Sequence, residues 1–237
     1  PEDVGGRFSA LSVFGMMPAT AAGMDPGRFA DAAARMVQQC LTDSTSNPGL
    51  QLGAFMAANA LAGRDKVTLI TSNEYAVFGM WVEQLLAEST GKDGRGLIPI
   101  AGEPRLEAES YGSDRQFIVF DSYDEDSNFR QVSAELESAG HPVLVIKASG
   151  SEKHGIAGEF FRWQFATAAA ASLMGVYPFD QPDVEAAKVK SRELLSDTGQ
   201  SPVTYSLADA LEVSGLANRL EPISPPTGDI DLDPTAD

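Results

Sequence analysis

A chain of 237 residues with 43% hydrophobic side chains is long enough for one large or two small domains around a real core. Its 34 acidic against 17 basic residues leave a formal charge of −17, which argues against nucleic acid or an anionic membrane surface as partner and requires that any phosphate ligand be met by locally placed donors. The single cysteine, Cys40, excludes an intrachain disulfide and fits a reducing cytoplasm, and with two histidines the chain has too few such ligands for a dedicated zinc site.

The sequence opens at Pro1 without Met and runs straight into Gly5-Gly6-Arg7, which suggests a fragment or a processed chain; it does not open on a basic n-region with a cleavage site, and no stretch approaches ~20 apolar residues. Gly5 and Gly6 let the backbone approach a ligand closely, and Arg7 stands at the entry to an apolar stretch, 8–22, that reads as a buried helix. A guanidinium and free N–H groups at that point suit an oxyanion, although a Gly-Gly turn with a surface arginine would look the same. Asp25-Pro26 starts a helix over 28–40 with Phe29, Ala33 and Val37 at helical spacing, and Asn47-Pro48-Gly49 breaks the chain before an alanine-rich helix over 50–61. Residues 67–72 form a short β-branched strand, followed by a helix over 74–88 with Trp81, Leu85 and Leu86 on its buried side.

Glu88 falls in the last turn of that helix, where the negative end of the helix dipole opposes a second negative charge, a setting that suits a base which must hand its proton back. Gln84 lies one turn earlier on the same face. Taken alone, Glu88 is an ordinary solvated glutamate. A Gly- and Pro-rich loop over 91–105 leads to an acidic patch, a strand over 117–120, an amphipathic helix over 128–138 and a strand over 143–146. This alternation predicts an α/β fold, a doubly wound parallel sheet flanked by helices. The helix over 155–174 carries Phe160, Phe161, Trp163 and Phe165, a density of aromatics that marks core or subunit interface. Asp180 can cap the next helix with Pro182 in its first turn, and there Gln181, Glu185 and Lys188 share a face that by itself reads as solvated. From 196 on the chain turns polar, punctuated by Gly and Pro and closed by an acidic tail, with only 207–216 helical in character.

Three stretches carry a resemblance. Val4-Gly-Gly-Arg-Phe-Ser9, the segment with Gln84, Glu88, Ser89, Gly91 and Lys92, and Asp180-Gln-Pro-Asp-Val-Glu-Ala-Ala-Lys188 resemble, in the same order, three signatures of glucose-6-phosphate isomerase. The wording of Ala87-Glu-Ser-Thr-Gly-Lys92 and of 158–166 is closest to the branch fused behind a transaldolase. The resemblance implies a C-terminal sugar isomerase (SIS) domain over 1–195, with 196–237 as linker or tail, in a cytoplasmic, homo-oligomeric enzyme of glycolysis and gluconeogenesis that needs no metal or organic cofactor. It also implies roles: Glu88 as the base moving a proton between C1 and C2, Arg7 as stabiliser of the enediolate-like intermediate, Lys188 as helper of ring opening, and Gln84, Gln181, Gly5 and Gly6 as substrate contacts.

Two departures from the family pattern stand out. The phosphate loop of the N-terminal SIS domain is not in this sequence, so the segment alone is expected to be inactive or nearly so, and its partner would be that domain. The family's ring-opening histidine is replaced within 107–115 by residues without a histidine; Tyr111 or Glu109 could substitute, and His154 is a surface histidine first and a replacement acid second. The alternative from another class is a noncatalytic SIS-type module that binds a phosphosugar or dimerises.

Overall fold

Three helices, α1 (Val13–Ala21), α2 (Pro26–Cys40) and α3 (Pro48–Leu61), precede the first strand in the computed structural model, which describes residues 4–121, 128–147, 153–180 and 182–196. The sheet then forms from β1 (Lys66–Thr71), β2 (Ile98–Ala101), β3 (Arg115–Asp121) and β4 (Val143–Lys147), with α4 (Ala76–Thr90) between β1 and β2 and α5 (Phe129–Ser138) between β3 and β4. Strand order is β2-β1-β3-β4, every pairing parallel, with Lys66 opposite both Ile98 and Arg115 and Phe117 opposite Val143. The long helix α6 (Ile156–Met174) follows, and then α7 (Pro182–Ser196). The chain divides into two compact units, Pro1–Pro182 and Asp183–Asp237, so the sheet and α1 to α6 belong to the first. The helix expected over 207–216 and the acidic tail lie outside the described residues.

Strand alternation sorts the side chains into two layers. Val67, Leu69, Ile118, Phe120 and Ile146 face one side, where α3, α4 and α6 cover them and Trp163 is buried at the centre. Phe117, Ile70 and Val143 face the other side, against Val132 and Leu136 of α5. A helix pair packs unusually closely within the first layer. A Cβ on Gly53 of α3 would come 2.6 Å from the Ala166 carbonyl oxygen and 2.8 Å from Ala169 Cβ of α6, so glycine facing an alanine run brings the two backbones together.

The structure departs from the sequence expectation in two places. The loop expected over 91–105 contains β2. Pro99 lacks an N–H, which disguises a strand but is tolerated at a sheet edge, and the outward N–H of Ala101 finds Glu83 Oε1 at 2.8 Å. The helix expected to be buried over 8–22 is shorter, and none of the nine residues of α1 is buried; Phe14 is 82% and Val13 75% exposed. Apolar composition alone does not say what covers a helix; of this one Met16 packs, with Leu11 before it and Met24 after it, on the cluster of Phe29 and Ala157.

Asn47 ties two helices together. Its Oδ1 accepts from the N–H groups of Gly49 and Leu50, both at 3.0 Å, capping α3, while its Nδ2 donates to the carbonyls of Cys40 at 2.6 Å and Thr42 at 3.1 Å just past α2. The residue is 1% exposed, so water cannot replace these bonds. Asn47→Ala is expected to cost about 2–3 kcal/mol, combining a lost cap with buried carbonyls left without a donor; denaturant unfolding should show a lower midpoint at unchanged slope. Gly53→Ala should lower the melting temperature through about 1–3 kcal/mol of overpacking, in spite of alanine's better helix propensity.

Candidate active site

The C-terminal end of α4 is the place where distant parts of the first unit meet. Val82, Leu85, Leu86 and Ser89 lie on its buried face, and the Thr90 hydroxyl fixes the exit by donating to the Leu86 carbonyl at 2.7 Å and accepting from the Leu97 N–H at 2.8 Å. Gln84 and Glu88 lie on the outer side, with Gln84 Nε2 donating to Glu88 Oε1 at 3.1 Å. The Glu88 side chain is 38% exposed.

Arg7 reaches this point from a single 3-10 turn, Gly6–Phe8. It is 2% exposed. Its Nε donates to Ser89 Oγ at 2.7 Å, its Nη2 to the Pro178 carbonyl at 2.7 Å and to the Asp180 carbonyl at 3.3 Å, and its Nη1 stands 3.5 Å from Glu88 Oε2. Burial lowers the guanidinium's pKa from its ordinary value, and the carboxylates of Glu88 and Asp180 oppose that shift, so Arg7 remains a cation held in place. Of its five donors, those of Nη1 are the ones aimed at Glu88 rather than spent on carbonyls and a hydroxyl. Gly5 and Gly6 are exposed beside the guanidinium, and a Cβ on Gly5 would come 3.5 Å from Nη1.

Beyond α4, Gly91 is required by space, since a Cβ there would lie 2.7 Å from the Ala87 carbonyl oxygen. Lys92-Asp93-Gly94-Arg95 then forms a tight turn: Lys92 and Arg95 exchange N–H···O bonds of 3.0 and 2.9 Å, and Asp93 and Gly94 have φ of 55° and 70°. Positive φ at both central residues is the type I′ geometry that Asp-Gly favours. The turn sends both flanking cations towards the segment after α6. Lys92, 8% exposed, donates from Nζ to the carbonyls of Tyr177 at 2.5 Å and Asp180 at 2.7 Å and to Asp180 Oδ1 at 2.6 Å, and Arg95 Nη1 donates to the Met174 carbonyl at 2.8 Å. Sequence reasoning assigned no role to Lys92 or Arg95, although the Asp93-Gly94 pair between them was the available signal.

The structure therefore gathers Arg7, Gly5, Gln84 and Glu88. It places other candidates elsewhere. Tyr111 lies across the sheet from α4, its ring 4.9 Å from that of Phe117 and its hydroxyl accepting from the Leu106 N–H at 3.1 Å; Glu109 is exposed in the 3-10 turn just before it. His154 is half-buried in the turn Lys153–Gly155, packed on α2. Gln181 lies outside the described residues, and Lys188 is exposed on α7 in the second unit. Among the described residues no group of His, Cys, Asp and Glu side chains is placed to hold a metal ion.

The all-parallel sheet with helices on both faces makes this an SIS-type α/β fold. The chain itself is similar to glucose-6-phosphate isomerases. That of Lactobacillus delbrueckii is 26% identical over 250 residues, covering 89% of this chain and 56% of that protein, and that of Rubrobacter xylanophilus is 28% identical over 226 residues, covering 79% and 52%. The chain thus spans about half the length of the curated relatives it matches. Among solved structures, the glucose-6-phosphate isomerase of Chlamydia trachomatis superposes with a TM-score of 0.65 at 17% identity over 92% of this chain and 51% of that one. A hypothetical protein of Thermus thermophilus superposes with a TM-score of 0.70 at 20% identity over 83% and 56%. No family model matches the chain.

The two contacts of this site differ in what they hold. Ser89→Ala removes the acceptor of a buried guanidinium N–H and should destabilise the unit by about 1–3 kcal/mol, whereas Gln84→Ala, on an exposed pair, should stay within about 0.5 kcal/mol of the parent; chemical denaturation of the two variants side by side checks the contrast.

Proposed function

We propose that residues 1–195 are the C-terminal SIS domain of a cytoplasmic glucose-6-phosphate isomerase, interconverting glucose 6-phosphate and fructose 6-phosphate through an enediol. The observation that carries this reading is the pairing of Glu88 with the buried Arg7 at 3.5 Å, in a chain similar to glucose-6-phosphate isomerases. Aldose–ketose exchange needs one carboxylate able to take a proton from C2 and return it to C1, and a fixed cation beside the oxygen where negative charge develops. Glu88 serves as that base and Arg7, through Nη1, as that cation. Gln84, with Gly5 and Gly6, borders the substrate, while Gln181 meets the phosphate and Lys188 assists ring opening. For the ring-opening acid the positions of Tyr111, Glu109 and His154, all away from the Glu88–Arg7 pair, weigh against each of them.

The other half of the relatives' length bears on activity. An N-terminal SIS domain would supply the phosphate loop and cover the exposed apolar residues Val13, Phe14 and Met17 of α1 and Val77 and Met80 of α4, so the chain alone is inactive or nearly so. Homo-oligomerisation and fusion behind a transaldolase go with the same reading. A second reading, a noncatalytic SIS-type phosphosugar-binding or dimerisation module, draws on the commitment of Arg7 Nε and Nη2 to internal acceptors, which makes the arginine structural whatever the chemistry.

The test is isomerisation of fructose 6-phosphate by this chain mixed with a separately produced N-terminal SIS domain of a glucose-6-phosphate isomerase. Glu88→Gln should lower kcat by about 10²–10⁴-fold, the usual range for a general base, with binding of a substrate analogue retained. An associated, well-folded pair that is inactive, or that ignores Glu88→Gln, gives the noncatalytic reading its place.

A further inference from the structure

We infer that Lys92 is a positioning residue for Glu88, acting through the 177–180 bend and Arg7. The bend leaves α6 at Gly175, whose φ of 71° ends the helix, and passes Tyr177, Pro178 and Asp180. What holds it is cationic donation to its main chain: Arg95 on the Met174 carbonyl, Lys92 on those of Tyr177 and Asp180, and Arg7 on those of Pro178 and Asp180. The Asp180 carbonyl is shared by Lys92 and Arg7, so the ammonium fixes an acceptor on which the guanidinium is aligned. Arg7 in turn faces Glu88 at 3.5 Å. The contacts of the Lys92 ammonium are with oxygens of Tyr177 and Asp180, and it reaches Glu88 only through them and Arg7.

The consequence for catalysis rests on the isomerase reading, but the clamp itself can be read without turnover. In the ¹⁵N-labelled full chain, hydrogen exchange of the Arg7 Nε–H, which donates to Ser89 Oγ, reports how firmly the guanidinium is held. Lys92→Met should speed that exchange at least tenfold and shift the amide signals of Tyr177, Phe179 and Asp180. Asn47→Ala, which loosens the unit at the α2–α3 junction, should leave the Nε–H rate within twofold when the two variants are compared at equal global stability. Should Lys92→Met fail to fold, Lys92→Gln carries the same comparison. Exchange within twofold of the parent in the Lys92 variant, or an equal acceleration in Asn47→Ala, overturns the clamp. In the reconstituted pair, Lys92→Met should lower kcat about tenfold with KM for fructose 6-phosphate within twofold; unchanged kcat overturns the link to Glu88. An inactive parent pair sinks the isomerase reading alone and leaves the exchange result to decide on the clamp.

Discussion

The first unit depends on a buried cation that cannot be left unpaired. Taking a guanidinium out of water costs several kcal/mol unless its donors are met, and Arg7 is met by a hydroxyl from the end of α4, by two carbonyls after α6 and by a carboxylate one residue from that hydroxyl. Arg7 lies near the beginning of the unit, and its partners lie near the middle and the end. One side chain therefore fixes the mutual placement of three segments that share no strand pairing. The Gly-Gly turn before it is part of the same requirement, since the backbone must bring residue 7 against α4 within one short turn. In a chain with twice as many acidic as basic residues, Arg7, Lys92 and Arg95 are spent on carbonyl oxygens inside this junction, and charge is thereby used to order main chain rather than to cover surface.

The position of Glu88 follows from sheet topology. A helix that joins two parallel strands runs back against them, so α4 ends at the edge of the sheet where β1 and β2 begin. Ligands of open α/β sheets ordinarily sit at the opposite edge, where the strands end, and a crevice lined by Thr71, Gly102, Tyr111 and Asn128 is found there. A carboxylate at a helix C-terminus meets unfavourable dipole charge, and the guanidinium beside it supplies the compensating positive charge. Arg7 is thus a condition for a carboxylate at the end of α4.

Much of the architecture was legible because local chemistry and long-range packing agree. The β-branched run of β1 and the Asp-Pro start of α2 specify the same elements that the core requires. Asn47-Pro48-Gly49 was legible as an interruption but not as a buried cap, because the Cys40 and Thr42 carbonyls that make Asn47 indispensable are reached only after the chain has turned. β2 was hidden by Pro99, whose missing N–H matters only if a neighbour waits on that side, and edge position is a property of the whole sheet. Of the site, resemblance picked out Arg7 and Glu88, whereas composition and periodicity would have left both as solvated charges. The work of Lys92 was invisible for a simpler reason: its acceptors lie 85 and 88 residues away and are mostly main-chain oxygens, which no side-chain pattern announces.

The outer face of α4 carries the last step. Val77, Met80, Gln84 and Glu88 are spaced so that they lie along one side of the helix, apolar where it begins and polar where it ends. Val77 and Met80 are largely exposed, and α1 adds Val13, Phe14 and Met17, also exposed, to the apolar surface of the same unit. A surface laid over the apolar half of α4 would remove water next to the polar half, and every charge interaction at Glu88 and Arg7 would then act in a lower dielectric. Hydrophobic association and electrostatic strength at the carboxylate are coupled by this arrangement along a single helix. A chain spanning half the length of its relatives can hold the charged pair in its folded geometry through Ser89 and the carbonyls after α6, while the dielectric in which that pair operates depends on what covers Val77 and Met80.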